Sequence, residues 1–451
     1  MPGDPDNDWF DSIKNSDDKT DLYRLLYHMP KGGDLHNHLS GAGFSEWWLD
    51  LAIAEQERGY KYYTRVSSDL CGGELSRTTA ILFQNISQIN FAQLSPCLKN
   101  QYKALSDLSG SEKAQWLNSI RLDKANEGRD EFFGRHWQRL NAINKNPWIK
   151  AELLYKNMQS FGREGLSYVE FQLSVDNYVK PDGSQISDSE VAEIFRKRLQ
   201  QKDALETGVT VRFQNFILRF LPNAEQTLAY NYKFADENND LWVAVNMVGR
   251  EDDPLGKPKR YASTMAKMQK RYPRVRASIH AGESEFADTN IKDTLAMGAD
   301  RIGHGINLIF DKETMESMQG GEHLVEVNLI SNLLLGYVKD YDSHPFPHYL
   351  RSGVPVTLST DDRGMWDSTM TDEYYVAVTE FDLSWREIRL LLTNSIQYSF
   401  LQDELKSKLM FTLSKKLDDF EEKIKTGDVS SLNGMPKTRT FICKHYQMCN
   451  S

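Results

Sequence analysis

Between residues 166 and 359 the chain repeats one unit: a short apolar run, a turn, then a stretch with helical spacing. The apolar runs stand at 166–173, 209–218, 241–248, 275–280, 300–303, 324–329 and 354–359. Helical patterns follow them, at Asp188 to Leu205 behind an acidic first turn, after Pro222, at Tyr261 to Tyr272 and at Ile291 to Met297. Strands repeatedly followed by helices imply a parallel sheet, because parallel neighbours need a long crossover between them. With an earlier strand at 34–39 the total reaches about eight, which predicts a closed (β/α)8 TIM barrel in the α/β class.

The remaining segments are arranged around that scaffold. Residues 1–28 form an N-terminal extension with a polar, poorly ordered leader and a helix over 9–28, its apolar positions including Trp9, Phe10, Ile13, Leu22, Leu25 and Leu26. Residues 29–57 and 147–427 make up the barrel, with a helix from Phe44 to Ala54 after the first strand. Residues 58–146 are polar and mixed in period, and are expected to be an insertion on the barrel, mostly helical in their second half. Helical spacing from Ser384 to about Lys425 predicts a tail helix burying Leu390, Leu391, Ile396, Leu401, Leu405 and Leu409. Residues 428–451 are a C-terminal tail.

The net charge of −10 carries no basic stripe, which argues against phosphate-led nucleic-acid binding. No apolar run is long enough to span a bilayer, and the start of the sequence has no signal-peptide pattern. The four cysteines fall into two local pairs, Cys71 with Cys97 and Cys443 with Cys449, and none is spaced as in a zinc ribbon or thioredoxin motif. Two local disulfides would fit an oxidising compartment and four free thiols the cytoplasm, so the sequence leaves the chain exported or cytoplasmic.

Chemistry is concentrated where the predicted strands end. In an extended Asp34-Leu-His36-Asn-His38, side chains alternate, so both histidines point the same way and can grip one metal ion. Imidazole suits zinc, copper, iron and nickel, with zinc the usual ion at a hydrolytic site. His280 closes the run Val275-Arg-Ala-Ser-Ile-His280 and is followed by Ala281-Gly282-Glu283; His304 lies in Arg301-Ile-Gly-His-Gly305; Asp361 and Asp362 follow Val356-Thr-Leu-Ser-Thr360. Catalytic residues of a barrel come from the carboxyl ends of several strands, and three imidazoles with a carboxylate make a mononuclear zinc site. Zinc lowers the pKa of bound water to about 7 and so supplies a hydroxide at neutral pH. Addition to a heteroaromatic ring then needs protons for the ring nitrogen and the leaving amine. Glu283, three residues past His280, is placed to deliver them, His304 to hold the attacking oxygen, and Asp362 to share a proton with the base. A helix N-cap is the alternative reading of the Asp361-Asp362 pair.

These pieces resemble the adenosine/AMP deaminase branch of the metal-dependent hydrolases. The matching motifs are Met29-Pro-Lys-Gly32, Leu35-His36-Asn37-His38-Leu39, His280-Ala-Gly-Glu283, Arg301-Ile-Gly-His-Gly305, Ser331-Asn332 and Ser359-Thr-Asp-Asp362, in the family's order. Met29-Pro-Lys-Gly32, the cysteine-bearing insertion, Val248-Gly-Arg-Glu-Asp252, His344-Pro345 and Asn394-Ser-Ile-Gln-Tyr-Ser399 look closer to the adenosine deaminase-related growth factors. The resemblance implies one zinc per subunit held by His36, His38, His280 and Asp361. It implies Glu283 as proton shuttle at purine N1, His304 beside the hydroxide, Asp362 at N7 and the Gly249 backbone at N3. The implied reaction converts adenosine or 2′-deoxyadenosine, a small-molecule purine nucleoside, to the inosine counterpart and ammonia.

Two positions depart from the family's usual pattern. Ser40 stands where an Asp would hold the ribose 5′-hydroxyl, which makes a 5′-modified or phosphorylated nucleoside (methylthioadenosine, AMP, N6-methyl-AMP) the alternative substrate. Arg363 replaces the usual Pro and is expected to form a salt bridge across the barrel rim rather than bind an anion. A binuclear hydrolase is disfavoured, since Met247-Val-Gly-Arg-Glu-Asp252 offers no bridging lysine after the fourth strand. The growth-factor likeness also implies extracellular signalling in some relatives, with the insertion as a binding surface. A homodimer through the insertion and the N-terminal helices is the expected assembly.

Overall fold

Alternating burial and crossover helices organise the chain into the barrel that its pattern predicts. The computed structural model describes residues 8–68, 71, 81–124, 126–427, 429 and 432–449. The leader at 1–7 lies outside them. Eight strands follow in sequence: β1 (Gly33–His38), β2 (Tyr168–Gln172), β3 (Thr210–Leu218), β4 (Trp242–Val248), β5 (Arg276–Ala281), β6 (Arg301–His304), β7 (Leu324–Val327) and β8 (Val356–Leu358). Each pairs in parallel with the next. The ring closes just beyond β8, where Asn37 bridges Asp361 in parallel. There the His38 amide donates to Asp361 O at 3.1 Å and the Asp361 amide to His36 O at 2.9 Å. Closure therefore uses the backbone of the very residues singled out as metal ligands.

The connections from β2 to β8 carry the helices Asp188–Leu199, Ala224–Glu237, Ala262–Arg271, Asn290–Ala296, Lys312–Met318 and Phe346–Ser352, in chain order. The chain is thus a (β/α)8 barrel. Its interior below the site is polar: Arg301 donates to Glu326 Oε1 at 2.6 Å and to Glu170 Oε2 at 2.5 Å, all three side chains buried. Gln214 extends the layer by donating to Glu170 at 2.8 Å. Buried charges of this kind are tolerated because every one is paired.

Several element boundaries differ from the expected ones. The extension holds two helices, Asp8–Lys14 and Lys19–His28, where the apolar pattern suggested one. Asn15-Ser-Asp-Asp18 interrupts it, because short polar side chains compete for backbone donors; Asp18 accepts the Thr20 amide at 2.9 Å and caps the second helix. The pattern at 188–205 divides into Asp188–Leu199 and Lys202–Leu205. Leu329 opens the helix Leu329–Leu334 rather than ending a strand. The tail pattern divides into Trp385–Gln397 and Asp403–Thr426, and Leu390 is 46% exposed. One residue along a helix turns the side chain by about 100°, so Leu391 is buried and Leu390 points outward.

Within 58–146, strands Tyr62–Arg65, Asn85–Ser87 and Tyr102–Ala104 form a small antiparallel sheet, and helices follow at Gly110–Ile120, Arg129–Glu131 and Trp137–Leu140. Disulfides join Cys71 to Cys97 and Cys443 to Cys449. Among the described residues no helix is long and apolar enough to cross a membrane.

Candidate active site

The strand ends bring four of the expected donors to one point. The His36 and His280 rings lie 4.3 Å apart, and His38 and His280 5.3 Å apart. His38 Nε2 lies 3.3 Å from His280 Nε2 and 3.2 Å from Asp361 Oδ1, with His36 Nε2 3.6 Å from the same oxygen. Ligand atoms about 2.0–2.1 Å from a tetrahedral zinc stand roughly 3.3 Å apart, so the cluster has the span of a zinc shell.

Tautomers agree with that span. His36 Nδ1 donates to Glu326 Oε2 at 2.8 Å and His280 Nδ1 to Asn246 Oδ1 at 2.9 Å. Each hydrogen bond leaves the Nε2 lone pair facing the centre, and His36 Nε2 is buried there with no hydrogen-bond partner. Asp361 presents Oδ1 to the same centre while Oδ2 accepts from Ser331 Oγ at 2.7 Å. Lone pairs converging in a dry site repel unless a cation lies among them. The donor set therefore fits a divalent metal of the zinc type. Gly303 makes the packing feasible: a Cβ there would sit 2.7 Å from His36 Cε1.

Two other candidates share the cluster: His304 brings a ring nitrogen within 4.8 Å of the donor atoms of His36, His280 and Asp361, and Asp362 an oxygen within 4.8 Å of those of His38 and Asp361. His304 has the left-handed φ of 64°, as Asp361 does at 52°, an uncommon conformation for a non-glycine residue that can mark a functional site. Its Nδ1 donates to Asn332 Oδ1 at 3.1 Å, and its Nε2 lies 3.8 Å from Glu283 Oε1. Burial and then His36 lower His304 to about 4, so the ring is neutral. Glu283 is pushed well above the ordinary carboxylate range by burial and by the negative charges of Asp361 and Glu251. Burial and neighbouring Asp361 likewise raise Asp362, whose Oδ1 is buried without a partner. Asp362 stands at the N-cap of the helix Arg363–Trp366, but its side chain makes no capping bond.

Gly249 follows the fourth barrel strand, half-exposed at φ 93°, with the Phe220 ring filling the space a side chain would need. Ser40 is half-buried and accepts a hydrogen bond from Lys150 Nζ. Burial pushes Lys150 down to about 7. Arg363 is sealed inside, paired with Glu164 at 3.0 Å, donating to Asn157 at 2.9 Å and stacked 3.5 Å over Phe161. The expected salt bridge is present, and it is buried rather than on the rim.

Sequence reasoning passed over several residues that hold this site. Glu326 and Asn246 orient two histidines, and Glu251 accepts the Gly282 and Glu283 amides, both at 3.0 Å, fixing the turn that carries Glu283. Their only signal was a polar residue inside an apolar strand or at its end. Lys150, on the helix Pro147–Arg163, had no signal beyond a cation in an amphipathic pattern. From the 58–146 region, Trp137 reaches within 6.5 Å of the His38 ring and Arg129 pairs with Glu285 at 2.9 Å. Residues 126–131 with Leu335 line a cleft of about 480 Å3 at this edge.

An eight-stranded barrel with histidines and an aspartate converging at its carboxyl-terminal mouth defines an amidohydrolase-type enzyme. Comparison with known proteins specifies the family. The adenosine deaminase family model matches residues 113–416, which include His280, Glu283, His304, Asp361 and Asp362, while β1 lies ahead of the match. The chain belongs to the adenosine deaminase family and is an aminohydrolase. It is 26% identical to an adenosine deaminase of Clostridium acetobutylicum, over 67% of this chain and 86% of the relative. It is 24% identical to adenosine deaminase 2-A of Danio rerio, over 91% and 83%. The fold is shared with an N6-mAMP deaminase of Arabidopsis (TM-score 0.63, 20% identity, 87% of this chain and 99% of that one). It is also shared with an amidohydrolase of Burkholderia ambifaria solved with bound zinc (TM-score 0.66, 14% identity, 91% and 97%).

Proposed function

We propose that this chain is a zinc-dependent hydrolase that replaces the 6-amino group of an adenine nucleoside with oxygen, adenosine and 2′-deoxyadenosine being the simplest substrates. The observation that carries the reading is the convergence of His36, His38 and His280 Nε2 with Asp361 Oδ1, beside Glu283 and His304. Family membership and the adenosine deaminases among the relatives support it. His36, His38, His280 and Asp361 would hold the ion. Zinc there would supply Lewis acidity, lowering the pKa of a coordinated water to about 7.

The chain's own residues do the rest. A water supplies the oxygen: Glu283 gives its proton to purine N1 as the C6–O bond forms, then takes up in turn the two protons of that oxygen and passes the first to the 6-amino group. The C6–N bond breaks, ammonia departs, and Glu283 is left protonated as at the start. Neutral His304 and Asp362 hold the oxygen and N7, while the Gly249 backbone meets N3. The two disulfides support an oxidising compartment.

The test is an absorbance assay of zinc-loaded protein, reading the change from adenine to hypoxanthine. Adenosine should be consumed, and Glu283→Gln should keep the metal while losing turnover by about 10³-fold. An inert wild-type protein with zinc bound, on adenosine and AMP alike, would overturn the reading.

A further inference from the structure

We infer that Arg129, in the segment inserted between β1 and β2, is a positioning residue for Glu283: its ion pair with Glu285 holds the loop after β5 that carries Glu283. The inference deepens the reading above and rests on it. Arg129 Nη1 donates to Glu285 Oε2 at 2.9 Å and Nη2 to Oε1 at 3.4 Å, so the planar guanidinium meets both oxygens. Glu285 stands two residues past Glu283 on the same loop. The Arg129 guanidinium also lies 5.1 Å from the centre of the Tyr337 ring. Tyr337 is 5% exposed and close enough to Glu283, Arg129 and Glu251 to feel their charges. Its amide donates to Asn332 O at 3.0 Å, and the Asn332 side chain holds His304. One arginine thus touches the loops after β5 and β7.

The next residue makes a second tie. Asp130 Oδ1 accepts from Arg250 Nη1 at 2.8 Å, and Arg250 also donates to both oxygens of Asp252, at 2.9 and 2.7 Å. Between Arg250 and Asp252 stands Glu251, whose carboxylate accepts the Gly282 and Glu283 amides. The loops after β4 and β5 are therefore joined twice, inside through Glu251 and outside through Arg129 and Asp130. Between Leu122 and Phe132 no described residue is buried, and residues 126–131 border the cleft of about 480 Å3 beside Leu335. Charge, rather than apolar contact, sets the place of this segment at the barrel mouth. The Arg129 and Glu285 side chains are 30% and 33% exposed, so their pair adds little to stability. Its effect is on placement, where an error of about an ångström in a reacting group can cost about 10²-fold in rate.

The test uses the zinc-loaded full chain and two readouts: kcat and KM for adenosine deamination, and deuterium exchange of the backbone at 282–286. Arg129→Met should lower kcat about 10-fold, leave KM within about 3-fold, and speed exchange at the Gly282 and Glu283 amides about 10-fold. Zinc content and melting temperature should stay at their wild-type values. Arg129→Lys should keep part of the rate. Exchanging the charges, with Arg129→Glu and Glu285→Arg together, should recover more activity than either single variant. Wild-type kcat or unchanged exchange in Arg129→Met would overturn the inference. A loss accounted for by zinc release or unfolding would overturn it too, as would a charge exchange no better than its single variants. An inert wild-type chain in which Arg129→Met still frees the 282–286 amides would uphold the tie and remove the deaminase reading.

Discussion

His36 Nδ1 donates to Glu326 Oε2 at 2.8 Å, with both side chains sealed from solvent at the centre of the barrel. The other Glu326 oxygen accepts from Arg301 at 2.6 Å and from Ser278 at 2.8 Å, so the carboxylate cannot turn away. This relationship fixes the tautomer of His36 and aims its Nε2 at Asp361 Oδ1. Partners that orient a metal-binding histidine typically account for 10–100-fold in metal affinity. Glu326→Gln should therefore weaken zinc binding by about that factor in chelator competition. Wild-type affinity in the variant would remove Glu326 from the metal centre.

Gly41 packs directly against the Asp362 carboxylate, so that a Cβ at residue 41 would collide with it. Gly41→Ala should displace Asp362 and lower turnover by roughly 10²-fold, the usual consequence of shifting a reacting group by about an ångström. Zinc content should stay at the wild-type level, because Asp361 and the histidines are held by other contacts. Full activity in this variant would show that Asp362 does not touch substrate.

Asp372 is buried under the N-terminal extension, where it accepts from Tyr23 Oη at 2.6 Å. Burial raises it to about 7, above an unfolded-state value of about 3.9. The folded state then holds a proton that the unfolded chain has already lost in the window between about pH 4 and pH 7. The stabilisation is fully present below that window and falls as pH rises through it, by about 1.4 kcal/mol per pH unit. Asp372→Asn should flatten the pH dependence of urea unfolding by that slope over this range. An unchanged slope would place the titration elsewhere.

Much of this architecture was legible in the residues. The apolar runs found seven of the eight strands because parallel strands buried on both faces read as near-continuous hydrophobic stretches, and the first was read from the alternation at His36 and His38. Period-two alternation put His36 and His38 on one face, and barrel topology put His280, His304 and Asp361 at the same rim. Boundaries were less legible: the break at Asn15-Ser-Asp-Asp18 and the outward turn of Leu390 depend on local competition and on which side the core lies.

The sequence by itself determined the order of strands and helices and the inward-facing donors, since each follows from spacing along the chain; it left the cysteines open between two local disulfides and free thiols, which the structure decided as Cys71–Cys97 and Cys443–Cys449. Only the tertiary structure decided which polar groups support those donors. His36 and Glu326 are 290 residues apart, Lys150 and Ser40 110, and Arg363 and Glu164 199. No periodicity records such pairs. A buried polar group must find a partner or be left for a ligand, and which of the two holds is settled when distant segments close around it.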